Sequence, residues 1–540
     1  MDTSKRLAAI VRGIWARNPA AWTDNPAHRR SIPTWLGWLD SAERFRKDAV
    51  DELLGFADEV RAAGFTHALL LGMGGSSLAP EVLRLTFGVR AGFLDLAVLD
   101  STDPQTVLDH QRRLPAGDTL YLVSTKSGTT TETLAFMRFF FAHARRAAEQ
   151  GGPARRPGEQ FVAVTDPGTP LARQAADLGF RHTFLNPEDI GGRFSALSYF
   201  GLVPAALLGV ELGALLERAG DAMRECRPET PLARNTGAQL GAALAGHAAQ
   251  GRDKVTLVCA SPFRSFGYWV EQLLAESTGK EDKGLVPIEG EPLGEPGGYG
   301  GDRVFVAVGA AEAAGRELRA LEAAGHPVIR LPAERPTDLG YQFFLWEFAT
   351  AVAGALMDID AFDQPNVQES KDNTTRVLAE YQAAGRLPQV PEATGEAAAQ
   401  AVAGLLRQAR PGDYVALLAY LPRTPEVEAA LDAWRVALRD RLRLATTAGF
   451  GPRYLHSTGQ LHKGGANNGL FVQLVAADRE DAPVPGEPYS FGVLKQAQAI
   501  GDLQALQAHG RRAIRLRLAG DLPAAIRDLA AAPVPIPSGG

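Results

Sequence analysis

Cysteine and long apolar stretches are both scarce in this sequence of 540 residues. The two cysteines, Cys226 and Cys259, are too few for a disulfide framework and lack metal-ligand spacing. No stretch approaches ~18 consecutive apolar residues, so we predict no membrane span. Residues 1–15 also lack the long apolar core of a signal peptide. We therefore expect a reducing compartment and a cytoplasmic protein.

Basic charge is not in excess either. Lysine and arginine number 56 against 62 acidic residues, which gives a formal net charge of -6. This balance argues against nucleic acid as a partner, so an anionic ligand would have to be held by a local site. The hydrophobic share of 45% and the charged share of 22% are those of a globular protein. The length favours two to three domains.

Short apolar runs alternate with helical patterns along most of the chain. The runs are THALLLG, TLYLVST, FVAVT, RHTFLN, VTLVCA, RVFVAV, HPVIRLP, YVALLAYL, GLFVQLVA and AIRLRL. This repetition predicts parallel sheets covered by helices, with ligand-binding loops at the carboxyl ends of the strands. We predict an α/β fold with two doubly wound subdomains and a C-terminal α/β unit. The predicted boundaries are 1–230, 231–385 and 397–540, with a linker at 386–396 and a frayed tail at 533–540.

A glycine-rich turn at residues 72–77 lies between a predicted strand and a predicted helix. Glycine lets the backbone approach an anion closely, and a helix N-terminus offers free N–H groups. Gly74, Gly75 and Ser76 are therefore candidate phosphate-binding residues. A tight turn with an N-cap serine is an equally good interpretation of this motif alone.

A second hydroxyl-rich loop, residues 124–132, also follows a strand and opens a helix. Neither loop has the Walker A pattern, and the first ends on Ser77 where a dinucleotide motif needs glycine. Two such loops on neighbouring strands favour one small phosphoester. Thr129 and Glu132 have the spacing of a capping box. The candidate phosphate ligands in this loop are Thr125, Lys126, Ser127 and Thr130.

Five short motifs occur in a fixed order between residues 72 and 371: GMGGSS, STKSGTTTET, DIGGRFSALS, AESTGK and FDQPNVQESK. Together they resemble the glucose-6-phosphate isomerase family, whose first two units are sugar-isomerase (SIS) subdomains. The later stretch GPRYLHSTGQLHKGG resembles the isomerase part of bacterial transaldolase–isomerase fusions. Since 540 residues leave no room for a transaldolase barrel as well, we expect the isomerase part alone.

The resemblance implies an aldose–ketose isomerase that needs no metal or organic cofactor. Glu276 matches the family's catalytic glutamate, which moves a proton between C1 and C2 of the sugar through an enediolate. Arg193 matches the arginine that faces this enediolate. Lys371 is expected to assist ring opening, and Gln364 to touch the phosphate end of the substrate. Pro365 is expected to start the helix that carries Lys371.

Ring opening in this family also uses a histidine, placed between the catalytic glutamate and the lysine. The only histidine there is His326, which precedes a proline at the start of a strand and is predicted to be structural. A similar pattern lies later, at His456-Ser457-Thr458-Gly459-Gln460-Leu461-His462. We expect His456 to open the ring, with His462 as the alternative.

Two other functions are compatible with the same motifs. One is a non-catalytic SIS-domain sensor of sugar phosphates, and the other is an isomerase that accepts both glucose and mannose phosphates. The expected partners are a sugar phosphate and, because family members are commonly dimers, a second copy of the chain. We expect no contact with membranes or nucleic acid.

Overall fold

The computed structural model of the chain describes residues 3–150, 155–309 and 314–532. Its strands form three sheets in which every paired strand is parallel. Helices connect the strands, which confirms the predicted α/β class. The tail predicted to be frayed, 533–540, lies outside the described residues.

The first sheet has the strand order β2-β1-β3-β4-β5. Its alternate side chains enter two different cores, with Leu70 and Leu122 on one face and Leu71 and Val123 on the other. The strands are β1 (His67–Gly72), β2 (Asp95–Leu99), β3 (Thr119–Ser124), β4 (Phe161–Thr165) and β5 (His182–Leu185). The helices before and around them are α1 (Thr3–Trp15), α2 (Pro26–Ser31), α3 (Ser41–Asp48), α4 (Val50–Ala62), α5 (Leu78–Phe87), α6 (Pro104–Arg113), α7 (Thr131–Glu149), α8 (Pro170–Asp177) and α9 (Tyr199–Leu208).

The second sheet has the order β7-β6-β8-β9. It shares one core with the first sheet, since Leu70 of β1 and Val255 of β6 belong to the same buried cluster. The strands are β6 (Lys254–Cys259), β7 (Val286–Ile288), β8 (Arg303–Val308) and β9 (Val328–Leu331). The helices are α10 (Leu212–Glu225), α11 (Thr236–Ala248), α12 (Phe266–Thr278), α13 (Gly315–Ala323) and α14 (Asp338–Leu356).

The third sheet has the order β11-β10-β12-β13. Its unit packs on both others: Phe491 joins the core beneath β3, and Tyr414 joins Ile288 of β7. The strands are β10 (Tyr414–Tyr420), β11 (Ala445–Phe450), β12 (Gly469–Ala476) and β13 (Arg512–Leu518). The helices are α15 (Pro365–Ala384), α16 (Gly395–Leu406), α17 (Pro425–Leu442), α18 (Gly459–Gly464), α19 (Phe491–Ala508) and α20 (Leu522–Ala531).

The three sheets repeat one strand order, in which the first strand of each sheet lies between the second and the third. Ligands bind parallel sheets where the strand order reverses, outside the carboxyl ends of the strands. In the first sheet that point lies between β1 and β3, where both predicted phosphate loops begin. The predicted domains 1–230, 231–385 and 397–540 each enclose one sheet, and their boundaries stay a prediction.

Candidate active site

The glycine-rich turn after β1 is pressed against the loop that carries Arg193. Gly74, Gly75 and Ser76 form a buried single-turn 3₁₀ helix, and Gly74 has a left-handed φ of 56°. A Cβ on Gly75 would lie 2.0 Å from the carbonyl oxygen of Gly192. Glycine is therefore required here by a close approach of two backbones.

The second phosphate loop lies beside the first. Ser124 Oγ donates to the Ser76 carbonyl oxygen at 3.3 Å, and the hydroxyls of Thr125 and Thr130 are 2.8 Å apart. Ser127 is exposed at the tip of this loop. The two loops are thus in direct contact at the β1/β3 reversal point, and their part in phosphate binding stays a prediction.

Lys126 is held by partners of its own within this loop. Its ammonium donates to the Asp166 carboxylate and, at 2.9 Å, to the Glu188 carbonyl oxygen. Burial raises the pKa of Asp166 to about 6, although the Lys126 charge opposes that shift. The lysine therefore joins the loop to the segments that follow β4 and β5, and its part in phosphate binding stays a prediction.

Arg193 is buried and almost fully committed to neighbouring groups. Nε donates to Ser277 Oγ at 2.8 Å, and Nη2 donates to the carbonyl oxygens of Ala361 and Asp363 at 2.7 and 3.0 Å. One Nη1 hydrogen reaches Gln364 Oε1 at 2.5 Å. Burial lowers the pKa of Arg193 and nearby carboxylates oppose that shift, but a guanidinium stays charged. One Nη1 hydrogen is left for another acceptor.

Glu276 lies in the last turn of α12, and its carboxylate faces Arg193. Its Oε1 is 3.8 Å from Arg193 Nη1, which is too long for a direct hydrogen bond. Gln272, one turn earlier, donates to Glu276 Oε2 at 3.1 Å and to the His456 carbonyl oxygen at 2.8 Å. A Cβ on Gly74 would lie 2.9 Å from Gln272 Nε2, so the base candidate and the phosphate turn are neighbours.

The helix α15 begins at Pro365 as predicted, and it brings two further candidates to the site. Gln364 precedes the helix and accepts from Arg193. Lys371 is exposed and forms no ion pair with another described residue, while its charge acts on the carboxylate of Glu132. The ammonium of Lys371 thus lies near the Glu132 carboxylate and has no ion-pair partner among the described residues.

His456 lies against the phosphate turn, and its ring is held by Glu132. The Nε2 of His456 is 2.9 Å from Glu132 Oε1, which also accepts from Gln498 Nε2 at 2.7 Å. Burial tends to raise the pKa of Glu132, but the charge and hydrogen bond of His456 outweigh it, so the pKa is lowered. The capping box predicted for Thr129 and Glu132 is wrong, because α7 begins one residue later, with Thr130 as its N-cap.

The other two histidines considered for ring opening lie elsewhere. His462 is buried among Tyr414, Tyr454 and Phe471, and neither ring nitrogen has a partner among the described residues. Burial lowers its pKa far below the ordinary value. His326 packs edge-on against Phe305 at the start of β9. His462 therefore has the surroundings of a core side chain, while His326 is half-buried.

The segment before α15 is held by the side chains of Lys280 and His28. Lys280 donates to the backbone carbonyls of Asp360 and Asp363 and, at 2.6 Å, to Asp363 Oδ1. Burial and the charge of Arg193 lower the pKa of Lys280 to about 8. His28 Nδ1 lies 3.1 Å from Asp360 Oδ2. His28, Asp360 and Asp363 form the one group of metal-ligand type in the described residues, and Lys280 already supplies a positive charge there.

The arrangement suits proton transfer on a small phosphoester. A buried carboxylate and a guanidinium hydrogen face each other across a short gap, beside hydroxyl-lined loops and a histidine held by a carboxylate. Two supporting residues, Gln272 and Lys280, were not among the predicted site residues, and Glu132 was predicted only as a helix cap. The sequence did carry a signal for each of them: Gln272 lies one turn before Glu276, and Glu132 and Lys280 lie within the motifs STKSGTTTET and AESTGK.

Comparison with known proteins identifies the family. The family model for phosphoglucose isomerase matches residues 51–290. A glucose-6-phosphate isomerase of Rubrobacter xylanophilus is 31% identical in an alignment of 377 positions that covers 60% of this chain and 85% of that protein. The chain belongs to the phosphoglucose isomerase family. The resemblance inferred from the five motifs is thereby confirmed.

Further relatives agree with this assignment. A glucose-6-phosphate isomerase of Clostridium novyi is 28% identical over 64% of this chain and 86% of its own length. A solved Thermus thermophilus protein described as hypothetical is 26% identical, with a TM-score of 0.56 over 70% of this chain and 95% of its own. A glucose-6-phosphate isomerase of Chlamydia trachomatis shares the fold, with 19% identity and a TM-score of 0.59 over 69% and 84% of the two chains. Among the described helices, none is both long and apolar enough to cross a membrane.

Proposed function

We propose that the chain interconverts glucose 6-phosphate and fructose 6-phosphate, with Glu276 as the base that moves the proton between C2 and C1. The observation that supports this most is the position of the Glu276 carboxylate, buried between Arg193 and the phosphate turn. A sugar phosphate anchored at that turn brings its reacting carbons toward a base held in place. Family membership supports the same substrate pair.

Arg193 stabilises the negative charge that develops on the enediolate oxygens. Its remaining Nη1 hydrogen points to the side on which Glu276 lies, while the other four N–H groups are fixed by the protein. A donor that is already oriented costs no reorganisation when the charge appears. Because the guanidinium stays protonated, it does not compete with Glu276 for the substrate proton.

His456 and Lys371 open the sugar ring before proton transfer. Glu132 holds the His456 ring at Nε2, which leaves Nδ1 for the substrate. The two loops hold the phosphate, and Gln364 lies at the phosphate end of the site, next to Arg193. The loop residues are Gly74, Gly75, Ser76, Thr125, Lys126, Ser127 and Thr130. The histidine comes from the third α/β unit of the same chain, so one chain supplies the whole set.

The test is the variant Glu276→Gln, which keeps the shape of the side chain and removes the base. Fructose 6-phosphate consumption in a coupled assay should fall by about 10²–10⁴, while calorimetry still detects binding of the sugar phosphate. Glu281→Gln is the matched control, since Glu281 is exposed a few residues beyond. Turnover by Glu276→Gln at the rate of the control would overturn the assignment.

A further inference from the structure

A cavity of about 190 Å³ lies outside the site just described, between the second and third units. It is bordered by α12, by the residues that follow β7 and β10, and by the end of β11. This is the carboxyl-end side of parallel strands, the side on which such sheets bind ligands. At roughly 30 Å³ for each water, the volume holds about six waters, which is the space of a small metabolite.

Four carboxylates line this cavity, and two of them, those of the half-buried Glu271 and Glu289, have acceptor capacity to spare. Glu271 accepts one hydrogen bond, from Ser457 Oγ at 3.1 Å. The carboxylate of Glu289 makes no hydrogen bond or ion pair with another described residue, while its backbone carbonyl oxygen accepts from Arg435 Nη2 at 2.6 Å. Burial raises the pKa of both groups, and the charge of Glu271 helps to raise that of Glu289 to about 7. Carboxylate oxygens in such a partly enclosed place take their donors from a ligand or from water.

Arginine side chains line the same cavity. The guanidinium carbons of Arg423 and Arg453 lie 5.7 and 5.1 Å from the centre of the same Tyr268 ring. Arg423 is paired through Nε with Glu428, and Arg453 through Nε with Asp100 at 3.3 Å. Their terminal nitrogens donate to no other described residue. Nearby, the buried Nε of Arg435 also lacks a partner.

We propose that this cavity is a second ligand site, and that it binds a small anionic polyol. The acidic group of the ligand lies between Arg423 and Arg453, whose forked donors match phosphate or carboxylate oxygens. Its hydroxyls donate to Glu271 and Glu289. An anion without hydroxyls would give the carboxylates of Glu271 and Glu289 no hydrogen-bond donor and would be repelled by their charge. A neutral polyol would bring no negative charge to the guanidinium groups of Arg423 and Arg453.

This site is separate from the phosphate loops, and the proposal does not depend on the isomerase reaction. The two sites are nevertheless neighbours in the structure. Arg453 and Ser457 border the cavity and flank His456 in the chain. Asp100, the partner of Arg453, also accepts from Ser77 Oγ at 3.3 Å, next to the first phosphate turn.

Calorimetric titration of the full chain with sn-glycerol 3-phosphate, and separately with glycerol, tests the proposal. The variant Thr130→Asp places a carboxylate in the phosphate loop at a helix N-cap that accepts aspartate, and so removes binding there. The variant Arg423→Ala removes one side of the proposed anion site. Arg407→Ala is the matched control, because Arg407 is exposed on the same unit and lies away from the cavity.

We expect sn-glycerol 3-phosphate to bind with a Kd of about 1 mM or tighter, and glycerol at least tenfold more weakly. Thr130→Asp and Arg407→Ala should retain this binding, while Arg423→Ala should weaken it at least tenfold and keep wild-type isomerase activity. Absence of binding, its loss in Thr130→Asp, equal binding of glycerol, or unchanged affinity in Arg423→Ala would each overturn the proposal. If Arg423→Ala does not fold, Glu289→Gln decides: we expect severalfold weaker binding, and unchanged affinity would overturn the proposal.

Discussion

Replacing Gly75 by alanine should separate the phosphate turn from the Arg193 loop. The added Cβ would lie 2.0 Å from the Gly192 carbonyl oxygen and 2.3 Å from its carbonyl carbon. Carbon atoms of this kind do not approach closer than 3.0 Å, so the two backbones must move apart by about 1 Å. No flexible side chain can yield instead, since both partners are main chain.

The size of the effect follows from that displacement. A misplacement of about 1 Å costs on the order of 100-fold in rate, so kcat/KM for fructose 6-phosphate should fall by about that factor. Overpacking of this kind costs about 1–3 kcal/mol of stability. At roughly 2–4 °C for each kcal/mol in a domain of this size, Tm should fall by several degrees.

The coupled assay and a thermal melt measure both quantities. Gly191→Ala is the matched control, because a Cβ there meets only Trp35 and Phe194, at 3.8 and 3.9 Å. The control should keep its Tm and activity within about twofold. A Gly75→Ala variant as active and as stable as Gly191→Ala would refute the argument that the two loops need this glycine contact.

Two further predictions concern the histidines. Glu132→Gln removes the charge that holds His456. A hydrogen bond to a charged group contributes about 1.5–3 kcal/mol, so its loss should lower kcat in the coupled assay by roughly 10–100-fold. The exposed Glu149→Gln on the same helix is the control, and an equal rate in both would exclude this role. His462→Phe should stay active, because the ring lies among aromatic side chains of the core. Folding lowers the pKa of His462, so below about pH 6.5 the unfolded chain binds a proton that the native chain does not, and stability falls. The variant should therefore lose less unfolding free energy than the wild type between pH 7 and pH 5 in urea titrations, and an equal loss would contradict this account.

The sequence pattern predicted most strands. The three that it missed occupy the same place in their respective sheets. β2, β7 and β11 each lie at the edge of a sheet, next to its first strand. β7 has only three residues and contains a proline, and the second half of β11 is only partly buried. An edge strand pairs on one side and needs less apolar character, so its pattern is weak.

In the candidate site, residues within local motifs could be named from the sequence, while contacts between distant parts of the chain could not. The loop residues could be named as candidates because each lies within a short motif that follows a strand, and their part in binding stays a prediction. The contacts that Gln272 and Glu132 make could not be predicted in the same way, since they involve His456, which is 184 and 324 positions away in the chain. A polar residue on a helix is usually solvated, and only the packing of the third unit reveals that these two are enclosed.

A crystal structure of Glu276→Gln with fructose 6-phosphate bound would test the central claim most directly, because the variant should hold the substrate without converting it. We predict the side chain of residue 276 within about 3.5 Å of C1 and C2, the phosphate against Ser76, Thr125 and Thr130, and a sugar oxygen on Arg193 Nη1. A sugar phosphate seated at those loops with its first two carbons beyond the reach of residue 276 would contradict the account.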